Sequence, residues 1–324
     1  MPTVLLSAPY MMSDINRFRA VLEKYSLEVI VAAVTERLSE QEIIHYSGKF
    51  DGAICGDDQY SEAVMKSCLP RLKVISKWGT GIDSIDLKAA SRLGIRVGNT
   101  PNAFTLPVSD SVMGYILAFA RRLPWLDQAV KSGRWEKIPS ISLSECTLGV
   151  IGVGNVGKAV IRRARAFGMK LLGNDILQIA PDFILENNIE MSGYQDLLQR
   201  SDFISVNCNL NPSSYHLVNS SSFDLMKTSS FLINTARGPI VDEEALIHAL
   251  VMKKIAGAAL DVFETEPLPS TSPLLHINNV FLAAHNANSS PAAWARVHRN
   301  TIHNLLDGLG ISHDDLDVLL NSEL

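Results

Sequence analysis

Three glycines in Gly152-Val153-Gly154-Asn155-Val156-Gly157 follow the apolar stretch from Leu148 to Ile151 and lead into a helical pattern through Val160 and Ala164. In such a strand–turn–helix the first glycine permits a tight turn and the second lets the backbone approach a pyrophosphate. The third lets helix and strand pack closely, with the phosphates at the helix N-terminus. The next apolar stretch, Lys170 to Gly173, runs on to Asp175, eighteen residues after Gly157. A carboxylate there can accept the adenosine ribose hydroxyls and repel a 2′-phosphate, so the spacing favours NAD over NADP. A structural turn followed by a solvated Asp is the plain alternative; strand, helix and acid in register favour the dinucleotide.

Three further chemical groups follow the ends of strand-like runs. Phe231-Leu232-Ile233-Asn234 leads into Thr235-Ala236-Arg237-Gly238; Ala256 to Leu260 ends at Asp261, with Glu264 and Glu266 behind; Val280 to Leu282 ends at Ala283-Ala284-His285. Ligands of α/β sheets sit at the carboxyl ends of strands. There a guanidinium can grip a carboxylate and polarise a ketone oxygen together, although an arginine alone is more often part of an ion pair, here with Asp242 or Glu243. A histidine hydrogen-bonded to a carboxylate is held in one tautomer with a raised pKa, which suits a general acid/base near neutrality. The plain reading of His285 is a capping loop histidine, and the other seven histidines, including His216 and His276, are assigned to that reading.

The elements that must position these groups alternate almost from end to end. Thr3 to Leu6, Leu27 to Val31, Gly52 to Cys55 and Lys73 to Ser76 read as strands with helices between, the rhythm of a parallel α/β sheet. This first unit ends near the turn-rich Asn99-Thr100-Pro101-Asn102. A helix from about Val108 to Arg121, stopped by Pro124, leads to a second helical piece reaching Trp135. A second strand–helix series runs from Leu148 to Leu282, and Pro291 starts a helix to about Leu305.

With 324 residues, two domains are expected, and 47% hydrophobic residues supply a sizeable core. A formal charge of -5 without like-charge runs argues against a nucleic-acid or membrane-surface partner. Cys55, Cys68, Cys146 and Cys208 form no CxxC and have no histidine at metal spacing, so neither a disulfide framework nor a metal site is expected. With no leader-like N-terminus and no spanning stretch, the chain reads as cytoplasmic.

Together, the glycine turn with Asp175, Asn234-Thr235-Ala236-Arg237-Gly238 with Val241-Asp242, Asp261-Val262-Phe263-Glu264-x-Glu266-Pro267 and His285 resemble the D-isomer-specific 2-hydroxyacid dehydrogenases. Gly79-Thr80-Gly81-Ile82-Asp83 and Asn99-Thr100-Pro101 extend the resemblance over almost the whole chain. It implies two Rossmann-like α/β lobes with parallel sheets and a cleft between them. One is a discontinuous substrate lobe of residues 1–99 and 288–324; the other is an NAD-binding lobe of residues 100–287. It implies NAD-dependent interconversion of a D-2-hydroxy acid and its 2-oxo acid, and a homodimer. Arg237 would bind the substrate carboxylate and carbonyl, His285 would be the acid/base, and Glu266 would orient it. Cofactor contacts would come from Gly152, Gly154, Asn155, Val156, Gly157, Asp175, Thr105, Cys208, Asn209, Thr235, Ala236 and Asp261, the last on the nicotinamide side. Backbone amides around Gly79, Thr80 and Gly81 would hold the substrate carboxylate, with Trp78 beside them and Asp57 or Asp58 lining the distal end of the substrate; the plain alternative is that both acids point into solvent.

Four departures from the family pattern bear on substrate. Gly56-Asp57-Asp58 stands where phosphoglycerate-handling members place Arg-Ser, and two carboxylates there would repel a phosphate. Asn209 replaces a common proline, which would loosen the adenine pocket. His285-Asn286-Ala287-Asn288 replaces His-Ile-Gly/Ala-Gly, and Trp78 replaces a smaller residue, either shaping a pocket or filling core. The alternatives are a phosphoglycerate dehydrogenase, a phosphite-oxidising enzyme on the same scaffold, or an NAD-sensing corepressor-like binding protein. Formate dehydrogenases carry Gln at the position of Glu266.

Overall fold

The strand–helix rhythm builds two parallel sheets, one in each of two compact units, residues 1–104 with 290–324 and residues 105–289. The computed structural model describes residues 1–12 and 14–323. No helix among the described residues is long and apolar enough to cross a membrane.

In the first unit the strands are β1 (Thr3–Leu6), β2 (Glu28–Val31), β3 (Gly52–Cys55), β4 (Val74–Lys77) and β5 (Arg96–Gly98). They pair in the order β2-β1-β3-β4-β5. The central strands β1, β3 and β4 are buried along their whole length; parallel strands covered on both faces read as continuous apolar runs. One face carries a core around Phe18, Leu22, Val74 and Leu305, the other around Phe50, Tyr60, Met65 and Ile75. The helix Pro291–Leu309 lies against the sheet after a Ser290 cap and ends at Gly310 in the left-handed region. It runs four residues past the expected end, and a further helix, Leu316–Glu323, follows. Ser76 Oγ donates to the Thr301 carbonyl at 2.7 Å. A Cβ on Gly308 would lie 2.2 Å from Val74, so that glycine sets how closely helix and sheet approach.

The second unit contains β6 (Thr147–Ile151), β7 (Lys170–Asn174), β8 (Ile189–Met191), β9 (Phe203–Val206), β10 (Phe231–Asn234), β11 (Gly257–Leu260) and β12 (Val280–Leu282). Their order is β12-β11-β10-β9-β6-β7-β8, a doubly wound sheet whose order reverses beside β6. Helix Thr105–Ala120 starts three residues earlier than expected and packs with helix Asn155–Ala166. Pro124 does not stop it: the chain leaves the helix at Ala120, passes Arg122 at φ 55°, and Pro124 sits in the first turn of helix Leu123–Lys131. Proline is tolerated there because its missing N–H has no helical acceptor.

Candidate active site

The carboxyl end of β6 forms the dinucleotide turn. Gly152 has φ +89°, and a Cβ on it would lie 2.6 Å from the Cys208 amide nitrogen. A Cβ on Gly157 would lie 2.1 Å from the Gly152 carbonyl, so helix and turn meet backbone to backbone. Gly154, which caps helix Asn155–Ala166, faces open space where its Cβ would be. Two glycines are thus required by close packing, and the middle one leaves the face that a pyrophosphate approaches, with the first helical amides beyond it. Asp175 accepts from the Val153 amide at 2.7 Å and the Leu177 amide at 2.8 Å. A carboxylate offers about four acceptor positions, so capacity remains for ribose hydroxyls. These residues fit a bound NAD.

Cys208 is partly buried against the apolar core, and burial pushes its thiol pKa up to about 11. The loosening expected at Asn209 is not seen: its carbonyl accepts from Ser214 Oγ at 2.6 Å, and Asn211 and Ser214 bond one another across the loop. Sequence reasoning passed over Ile176 and Leu177, which are 87% and 71% exposed directly after Asp175. Two large apolar side chains on that rim suit the flat face of an adenine. Their signal was present as an apolar pair immediately after the acid.

Arg237 is placed by the end of β10. The buried Asn234 side chain accepts from the Ala236 amide at 3.1 Å and donates to the Arg237 carbonyl at 2.9 Å, closing the Thr235–Arg237 turn. Thr235, Ala236 and Arg237 are all half-buried. The next residue, Gly238, lies against the loop after β11: a Cβ on it would sit 1.9 Å from the Phe263 carbonyl oxygen. The Phe263 amide donates to Glu266 Oε1 at 2.9 Å, and Glu266 Oε2 lies 3.1 Å from His285 Nδ1. The loops bearing Arg237, Glu266 and His285 are therefore linked in series. His285 adopts φ 50°, a left-handed conformation that a histidine holds at some cost. Its amide donates to the Asp261 carbonyl at 2.8 Å.

Asp261, expected on the nicotinamide side, is tied to the loop after β12. It is 1% exposed and accepts from the Asn286 amide at 2.8 Å and the Ala287 amide at 2.9 Å. Burial raises its pKa, and the two amides oppose that rise. Asp261 holds the His285 loop. His216, assigned to capping, instead pairs with Glu264 at 2.8 Å, and Glu264 also accepts from the Glu243 amide at 3.1 Å.

In the first unit, Gly79 has φ +121°, a conformation that suits glycine alone. Its carbonyl accepts from the Thr100 amide at 2.8 Å; the Thr80 carbonyl accepts from Asn99 Nδ2 at 2.6 Å; Thr80 Oγ1 donates to the Thr100 carbonyl at 2.9 Å. Gly81 is half-buried in this pinned loop.

Of its neighbours, Trp78 takes the second of its two expected roles and Asp58 takes neither of its own. Trp78 is 3% exposed, stacks on Tyr10 and donates its indole N–H to His298 Nδ1 at 3.0 Å, so it fills core. Burial lowers the His298 pKa to about 4, which keeps that ring a neutral acceptor and makes it another exception to the capping assignment. Asp58 is fully buried, accepts from Ser7 Oγ and from the Leu38 amide at 2.6 Å, and neither lines a substrate nor faces solvent. Asp57 pairs with Lys77 at 3.0 Å. Thr105 opens its helix half-buried.

A switch-point glycine turn, an acid at the next strand end and an arginine–glutamate–histidine series define a nucleotide-dependent oxidoreductase. Residues 113–287 match the family model "D-isomer specific 2-hydroxyacid dehydrogenase, NAD binding domain". The chain belongs to this family and is an NAD-binding oxidoreductase acting on 2-hydroxy acids and their 2-oxo counterparts. It is 37% identical to a glyoxylate reductase of Thermofilum pendens over 83% of this chain and 81% of that protein. A hydroxypyruvate reductase of Thermotoga maritima is 35% identical over 92% of this chain and 96% of that one. The solved D-lactate dehydrogenase of Aquifex aeolicus, complexed with NAD and lactic acid, superposes with a TM-score of 0.82 at 27% identity, covering 95% of this chain and 97% of that one.

Proposed function

We propose that the protein reduces a small, unphosphorylated 2-oxo acid, glyoxylate or hydroxypyruvate, with NADH. The observation that carries the reaction is the His285–Glu266 contact at 3.1 Å, on loops tied to Arg237 through Gly238 and Phe263, and the likeness to a glyoxylate reductase and a hydroxypyruvate reductase supports the choice of substrate. Arg237 grips the carboxylate and stabilises charge developing on the ketone oxygen. His285, protonated and oriented by Glu266, delivers the proton to that oxygen from Nε2, because Nδ1 faces Glu266. NADH supplies the hydride when bound. Residues 1–99 and 288–324 form the substrate-binding domain in this reading, residues 100–287 the NAD-binding domain. The Gly79–Gly81 loop, pinned through its carbonyls by Thr100 and Asn99, is assigned to receive the substrate carboxylate through its amides. Cofactor contacts are assigned to Gly152, Gly154, Asn155, Val156, Gly157, Asp175, Thr105, Cys208, Asn209, Thr235 and Ala236.

The location is read as cytoplasmic, supported by four free cysteines, three of them buried. The assembly is read as a homodimer, supported by the exposed apolar side chains of Leu123, Val130, Trp135 and Ile141. The test is a panel of 2-oxo acids with NADH followed by absorbance: glyoxylate, pyruvate, hydroxypyruvate and phosphohydroxypyruvate. Turnover of the unphosphorylated acids, with about 10²–10⁴-fold loss in His285→Ala, is expected. Preference for the phosphorylated acid, or full turnover in His285→Ala, overturns the reading.

A further inference from the structure

The carboxyl end of β4 carries a lysine to which the reaction as described gives no part. Lys77 is 4% exposed. Its ammonium lies 3.0 Å from Asp57 Oδ1 and donates to the Trp78 carbonyl at 3.1 Å. It also lies 3.7 Å from the point where a Cβ on Gly79 would be. A buried ammonium is costly unless its charge is answered, and a strand end in a parallel sheet is where ligands bind. Three donors sit on Nζ, and two are used by Asp57 and Trp78. The charge therefore stands immediately beside the loop of Gly79, Thr80 and Gly81, whose backbone is fixed by Asn99 and Thr100.

Resting on the reading that this loop receives the substrate carboxylate, we infer that Lys77 is a substrate-binding residue. Its ammonium supplies a positive charge for that carboxylate in addition to the Arg237 guanidinium, and Asp57 offsets one of the two so that 2-oxo acids with one negative charge are selected. Two groups decide this selectivity, one at the end of β4 and one just past β3. Removing Lys77 weakens ground state and transition state alike, because the carboxylate is unchanged by the reaction; the loss falls on KM. Removing the charge of Asp57 leaves the ammonium unanswered and favours a substrate with a second carboxylate. A pair serving only to tie β3 to β4 would alter stability and leave KM untouched.

The experiment measures steady-state reduction of glyoxylate and of oxaloacetate, which carries a second carboxylate, by the unmodified protein and by Lys77→Met, Lys77→Arg and Asp57→Asn. Lys77→Met is expected to raise KM for glyoxylate about 10- to 100-fold with kcat within a few-fold, the scale of one charge acting at close range. Lys77→Arg restores most of that KM. Asp57→Asn raises the oxaloacetate-to-glyoxylate ratio of kcat/KM about 10-fold. An unchanged KM in folded Lys77→Met overturns the inference. Should that variant not fold, an unchanged ratio in Asp57→Asn overturns it instead. An unmodified protein that reduces no 2-oxo acid refutes the proposed reaction itself, a separate outcome.

Discussion

Gly238→Ala tests whether the three catalytic loops act as one positioned set. The added Cβ would lie 1.9 Å from the Phe263 carbonyl oxygen and 2.5 Å from the Glu264 nitrogen, whereas such contacts essentially never fall below 3.0 Å. Both obstacles are backbone, so no side-chain rotation relieves them, and one loop must move by about 1 Å. Whichever moves carries chemistry: Arg237 precedes Gly238 directly, and the Phe263 amide holds Glu266 at 2.9 Å. A misplacement of about 1 Å costs about 10²-fold in rate, or about 2.7 kcal/mol of transition-state stabilisation. We expect kcat/KM for glyoxylate to fall about 100-fold, with NADH affinity falling far less, because Thr235 and Ala236 are the assigned cofactor contacts on that loop and the turn at Gly152–Gly157 lies after a different strand. Fluorescence titration with NADH reports the retained fold, and NADH consumption reports the reaction. A folded Gly238→Ala protein with activity within about twofold of the original would falsify the linked-loop account.

Asp175→Ala should narrow a clear preference for NADH over NADPH, read as the ratio of kcat/KM with each cofactor; equal use by the unmodified protein removes Asp175 from cofactor selection. Glu266→Gln should shift the pH–rate profile of the reduction, since the imidazolium loses its charged partner; an unmoved profile separates Glu266 from the acid step. Asp58 makes a prediction about stability. Burial, the largest cause, raises its pKa from 3.8 to about 6, so between those values the folded chain holds the proton that the unfolded chain releases. Stability contributed by this group is full below about pH 4, falls as pH rises toward 6 and is lost above it, a difference of about 3 kcal/mol. Asp58→Asn should flatten that part of the profile in denaturant titrations at pH 4 to 8; an unaltered slope would show that Asp58 does not titrate there.

The sequence made the chemistry of the second unit readable because parallel α/β folds put ligand groups where strands stop. Arg237, Asp261, Glu266 and His285 could each be found by following an apolar run to its end. The strands β5, β8 and β9 carry no charged group at their carboxyl ends to draw the reading to them, and β5 and β8 are three residues long. The extra turn of helix Pro291–Leu309 lies at its end, where the last residues are set by packing and by Gly310.

What the sequence could not show is what each acid faces. Asp57 and Asp58 are adjacent and chemically alike, yet one pairs with Lys77 and the other is sealed between Ser7 and Leu38. Those partners lie 20 to 51 residues away along the chain, and no local pattern announces them. Asp261 shows the same limit from the other side: the strand-end rule located it, but not that its carboxylate braces the His285 loop through the Asn286 and Ala287 amides. Position along a strand tells where a side chain can act. The groups opposite it decide whether its charge is spent on the fold or kept for a ligand. By that criterion Asp175 spends two acceptor positions and keeps others for a ligand, and Lys77 spends two donors and keeps one.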